Sequence, residues 1–155
     1  PLKRIPVLVC PDGHRIIETL AIANHLIEQF PVLAPPIGDI RRDAMWEHLS
    51  VLATSLYSAM HRHHHTYYYA PDGMHEGVRE MASIDAARWW DYFESQLNPY
   101  LAGEGPMVAD FYIFMITAWT PNLKEVLETR PKLQAFVEAM SDQSAVKAVH
   151  ASHAK

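Results

Sequence analysis

The sequence predicts an α+β chain in which a short β-hairpin and one helix precede a much longer all-α bundle. Ile5, Val7 and Val9 alternate with Pro6, Leu8 and Cys10 before a Pro11-Asp12-Gly13-His14 turn, the period-two pattern of a strand entering a hairpin. After Ile40 the apolar residues recur instead at three and four positions, the spacing of helix faces. Between the two lies Val32 to Asp39, which holds Pro35-Pro36 and Gly38, a stiff and irregular connector of the kind that joins domains. The chain therefore divides into residues 1–31, a linker at 32–39 and a helical domain at 40–155.

In the hairpin, Gly13 stands where positive φ is cheapest, and Arg15-Ile16-Ile17 resumes the extended run. Thr19 reads as the N-cap of the next segment. There Ile22, Leu26, Ile27 and Phe30 recur at helical spacing, Asn24, His25 and Glu28 face water, and Phe30-Pro31 ends the helix. In the helical part, Met45, Leu49, Leu52, Leu56 and Met60 form one stripe running from about Ile40 into the His61-Arg62-His63-His64-His65 cluster. Asp72-Gly73 breaks it. A second long helix is predicted over about Glu76 to Leu97, burying Met81, Ile84, Trp89, Phe93 and Leu97 and stopping at Asn98-Pro99. At least one of the adjoining Trp89 and Trp90 belongs to the core. Val108 to Trp119 is apolar nearly all round, which predicts a central helix covered on several sides. Two shorter helices, near Lys132 to Met140 and Ala145 to His153, close the chain.

Composition narrows the function classes. At 155 residues with 49% hydrophobic and 20% charged side chains, the chain is globular rather than disordered or collagen-like. Its longest strongly apolar run, Phe111 to Trp119, is well short of the ~20 residues that cross a bilayer, so no membrane partner is expected. Thirteen basic residues are scattered against eighteen acidic ones, and the net charge of -5 leaves no footprint for nucleic acid. A single cysteine cannot form an internal disulfide, which fits the cytoplasm. His61 and His65 share one helix face at the spacing of two metal ligands, but no third ligand is evident. They read as a solvated helix end, and no metal is expected.

The order of motifs resembles the glutathione S-transferase superfamily in its bacterial cytosolic form. Those motifs are the Ile5-Pro6-Val7-Leu8 strand, Glu18-Thr19 at a helix start, the proline-rich linker, Leu101-Ala102-Gly103 leading into the central helix, and Arg130-Pro131-Lys132-Leu133 through Ala148. The resemblance covers nearly the whole chain. It implies a glutathione transferase fold: a thioredoxin-like N-terminal piece, incomplete because a strand, a helix and a second strand would precede Pro1, followed by the all-α domain. It also implies glutathione as substrate, a small hydrophobic co-substrate and a homodimer built through the first two long helices.

The resemblance assigns site residues one by one. Glutathione ends in a free α-amino and α-carboxylate group. The unpaired first N–H groups of the helix after Glu18, with the Thr19 hydroxyl, would hold the carboxylate, and Glu18 would take the ammonium. Pro6 stands at the family's cis-proline, which leaves the Ile5 backbone to pair with the cysteinyl segment. Tyr57, Met60 and His61 are the candidates for the electrophile pocket. Asp110 would hold the loop before the central helix. The family's Ser or Thr three residues ahead of it is here Met107, a poor acceptor, so another group must cover the open N–H. Cys10 reads as a buried, inert thiol. Catalysis needs glutathione as thiolate, and a thiol near pKa ~8.5 needs an activating Tyr, Ser or Cys. The resemblance puts that group ahead of Pro1, so no residue of the chain receives the catalytic role. The expected function is conjugation of glutathione to small hydrophobic electrophiles. The alternative is a non-catalytic relative that binds glutathione or another ligand, or serves as an assembly subunit.

Overall fold

The computed structural model describes residues 5–153; the ends of the two outer segments, 1–4 and 154–155, lie outside the described residues. Strands β1 (Val7–Val9) and β2 (Arg15–Ile17) pair antiparallel, with Val7 opposite Ile17 and Leu8 opposite Ile16. Asp12 closes the turn by accepting the His14 N–H at 2.9 Å, while Gly13 takes φ +85°. A two-stranded sheet is marginal by itself. It is carried by helix α1 (Thr19–Gln29), whose Ile27 and Leu20 pack on the main core and whose Ala23 is also buried. Phe30, expected on that face, is the C-cap and is exposed, because the helix ends before the stripe reaches it.

The linker is pinned rather than loose. Ala34 and Pro35 are buried, Arg42 donates to the Pro35 carbonyl at 2.6 Å, and Asp39 caps the next helix by accepting the Arg41 N–H at 2.9 Å. The Arg41 side chain bonded to Asp39 also holds that carboxyl down at about 2.

Helix α2 (Ile40–Val51), a π-turn (Leu52–Leu56) and helix α3 (Tyr57–His64) follow without a break. The predicted stripe is buried in full, from Met45 to Met60. Successive steps of four residues drift around an α-helix, and the wider π-turn absorbs the drift so that Leu52, Leu56 and Met60 keep one face.

Helix α4 (His75–Gln96) departs from expectation. Its buried face is Ala82, Ala86, Trp90 and Phe93, continued by Leu97, whereas Met81 and Ile84 are 56% and 41% exposed and Trp89 is half-buried. Small side chains face α3, which lets the two helices approach, and Arg62 reaches across to Asp85 at 2.7 Å. Periodicity cannot choose between two adjacent apolar faces; the partner helix chooses.

Helix α5 (Val108–Thr117) is the central element, with Ala109, Asp110, Tyr112, Ile113, Ile116 and Thr117 buried. Helix α6 (Leu123–Glu128) was not anticipated, because its six residues offer barely more than one turn of apolar spacing, Leu123, Val126 and Leu127, and none of them is fully buried. Helix α7 (Pro131–Ser141) starts on a proline, and the Glu94 carboxylate from α4 accepts its Lys132 and Leu133 N–H groups at 3.1 and 2.8 Å. Helix α8 (Ser144–His153) closes the described chain.

Candidate functional site

One residue must turn the chain between β2 and α1. Glu18 does so at φ 70° and ψ 128°, a conformation that favours glycine, and it makes no side-chain cap bond. Holding a non-glycine residue there costs about 1–3 kcal/mol, a kind of strain that clusters at functional positions. Thr19 is therefore the first helical residue, not the N-cap expected for it. The Ile22 N–H bonds the Glu18 carbonyl at 3.0 Å, and the amides ahead of it have no partner within the helix. Glu18→Gly is expected to raise the melting temperature by about 2–4 °C by relieving the backbone. Scanning calorimetry checks this, and a lower midpoint would mean that the Glu18 conformation is unstrained.

Hairpin register brings a second feature to the same end of the sheet. Val7 faces Ile17, so the next positions outward are Pro6 on one strand and Glu18 on the other. The Ile5–Pro6 peptide is cis, and Ile5 is exposed.

Tyr112 of α5, to which sequence reading gave no role, is only 8% exposed, and burial pushes its phenol up to about 12.

The three electrophile-pocket candidates separate. Tyr57 is half-buried, with its ring 5.5 Å from Trp119. Met60 is 2% exposed and belongs to the core, where its sulfur accepts from Thr120; it is corrected from pocket wall to packing residue. His61 is half-buried, bonds the Tyr69 hydroxyl through Nδ1 at 2.8 Å and stacks on Tyr68. His65 lies 4.7 Å from His61, ring to ring, and bonds Tyr67, while His63 bonds Ser83 and His64 reaches the Trp119 carbonyl. Among the described residues no group of three or more His, Cys, Asp or Glu side chains could hold a metal ion. An apolar cavity of about 330 Å³ opens elsewhere, between α5 and α8, against Phe111, Phe114, Met115, Val146, Val149 and His150. Cys10 is half-buried rather than buried, with its sulfur 3.8 Å from His25 Nε2.

Asp110 ties α5 to the loop before it. Its carboxylate accepts the Leu101 and Met107 N–H groups, each at 2.9 Å, and its own N–H turns to the Met107 carbonyl at 3.0 Å. That carbonyl covers the N–H for which the sequence offers no hydroxyl. The Met107 side chain lies over Gly103, where a Cβ would come within 2.7 Å of Met107 Cε and the flexible methionine would have to shift.

Comparison with known proteins agrees with this architecture. The family described as glutathione S-transferase, C-terminal domain, matches residues 58–153, more than half of the chain. The glutathione S-transferase GstA of Escherichia coli O157:H7 is 25% identical over 151 residues, covering 95% of this chain and 72% of that protein. An uncharacterised GST-like protein, YncG of Escherichia coli K12, is 23% identical over 141 residues, covering 90% and 69%. A crystal structure of a glutathione transferase homologue from Sulfitobacter, with bound glutathione, superposes with a TM-score of 0.86 at 23% identity, covering 97% of this chain and 74% of that one.

Proposed function

Because the chain belongs to the glutathione S-transferase superfamily, we propose that it binds glutathione at the Glu18 turn and conjugates the glutathione thiolate to small hydrophobic electrophiles. One observation carries the reading: a non-glycine residue held at φ 70° between β2 and α1, beside the cis Ile5–Pro6 bond, with open first-turn amides behind it. That arrangement sets anion donors and a cation acceptor side by side, as the γ-glutamyl end of glutathione requires. The amides at the positive end of α1 and the Thr19 hydroxyl take the α-carboxylate, and the Glu18 carboxylate takes the ammonium. The Ile5 backbone pairs with the cysteinyl segment. Tyr57, beside Trp119, and His61 one turn further on α3 stand on the co-substrate side, while Met60 is buried in the core. None of the residues present is assigned the activation of the thiol.

Glu18→Ala combined with Thr19→Ala is expected to abolish retention on immobilised glutathione. Retention equal to the parent's would overturn the site. A parent that is retained but shows no turnover with a chloronitrobenzene acceptor would be a binding relative rather than a conjugating enzyme.

The same reading makes the protein a cytoplasmic homodimer. Met81 and Ile84, one turn apart on α4, and Tyr67, Tyr68 and Met74 just before it remain exposed, and large apolar side chains left in water on this part of the chain favour a partner subunit. Light scattering should return twice the chain mass; a monomer at micromolar concentration would remove the dimer from the proposal.

A further inference from the structure

We propose that the apolar cavity between α5 and α8 binds a flat, two-ring aromatic molecule bearing one hydrogen-bond acceptor, of the naphthoate type. The site is separate from the one proposed for glutathione, since none of Glu18, Thr19, Tyr57 and His61 lines it. Its origin lies in two helices of different character. Helix α5 is apolar nearly all round, so it presents Phe111, Phe114 and Met115 on a side that the bundle covers only in part. The helix facing that side is α8, in which Val146 is the one buried residue among those described. Val149 and His150, a turn further on, are exposed and stand at the rim, and about 330 Å³ stays open between the two helices.

Size and shape select the occupant. An apolar cavity of ~150 Å³ takes up one benzene, so this space suits about two fused rings. The Phe114 and His150 rings lie 27° from parallel with their centroids 6.5 Å apart. Carbon atoms are in good contact at about 3.5 Å, so a flat ring set between these two would meet both. Polarity then orients it. Thr117 in the wall already donates its hydroxyl to the Phe114 carbonyl at 2.6 Å, whereas the His150 ring has no hydrogen-bond partner among the described residues. A neutral imidazole carries one N–H to donate, so the complementary group on the ligand is an acceptor. Placed at the exposed rim, a carboxylate meets His150 while keeping its remaining hydration, and the rings enter the dry interior. A flexible chain of equal volume would lose internal freedom on entry that fused rings do not have.

The test is titration calorimetry of the full chain with 1-naphthoate, for which saturable one-to-one binding is expected. Octanoate, a carboxylate on a flexible chain, should bind at least tenfold more weakly. His150→Leu should weaken 1-naphthoate about three- to tenfold, the worth of one hydrogen bond. Val149→Trp fills the cavity from an exposed position and should abolish binding with the helical circular dichroism unchanged. Tyr57→Ala, on the co-substrate side, should bind 1-naphthoate as the parent does. Absence of saturable binding, or binding that survives both Val149→Trp and His150→Leu undiminished, would overturn the site. Loss of binding in Tyr57→Ala alone would also overturn it, by moving the ligand to the co-substrate side. Octanoate binding as tightly as 1-naphthoate would overturn the aromatic class. Glutathione is absent throughout, so failure here leaves the proposed function standing and failure there leaves this site standing.

Discussion

Asp110→Ala is expected to destabilise the fold by about 3–5 kcal/mol, a large part of the roughly 5–15 kcal/mol that holds a domain together. The carboxylate is 0% exposed and is the acceptor for two backbone N–H groups, from Leu101 and Met107. Alanine leaves both donors buried without a partner and removes the N-terminal anchor of the central helix. Chemical denaturation would measure the loss, and a change below 1 kcal/mol would mean that the loop rearranges to satisfy both groups. Asp110 also has a pH signature. Burial pushes its carboxyl up to about 6, against the pull of the backbone donors at Leu101, Met107 and its own position. With the folded value above the unfolded 3.8, the folded state holds the proton more tightly. The stability this contributes is complete below the unfolded value and is lost as pH rises through about 6. The deficit of Asp110→Ala should therefore shrink between pH 4 and pH 7. His48, whose buried ring is kept neutral and pulled below 6.5, destabilises the fold as pH falls. It is present in both proteins, so the difference between them isolates Asp110.

Phe93→Ala should cost about 3–5 kcal/mol, the usual range for emptying an aromatic site in a core. Phe93 is fully buried on the inner face of α4, edge-to-face with Tyr92 at 5.1 Å and 6.2 Å from the His48 ring. Its removal opens a cavity that rigid helices on either side cannot close. Met81→Ala is the contrasting case, because that side chain is exposed on the same helix and its loss should move the stability of the isolated chain by less than about 0.5 kcal/mol. Equal losses at the two positions would mean that α4 is turned to bury Met81.

Features set by local spacing were legible without coordinates. The hairpin follows from alternation around Pro11-Asp12-Gly13, the α2–α3 stripe from Met45 through Met60, and the central place of α5 from apolar residues on all its sides. The family resemblance likewise rested on the order of motifs along the chain. Glu18 and Thr19 were named as a pair through that resemblance, whereas the residues alone marked Thr19 only as a helix start.

What only the tertiary structure decided is which of several permitted faces meets which neighbour. Ala82 and Ala86, rather than Met81 and Ile84, face α3, because close helix approach favours small side chains over large ones. Met60 is core while Tyr57 and His61 reach the surface, a distinction one turn of helix cannot make. The positive φ of Glu18, the one residue between β2 and α1, carries no signal in the sequence, where glycine would be the expected occupant. Periodicity reports the shape of one element, and a pair formed between elements exists only once packing has fixed their rotation and height.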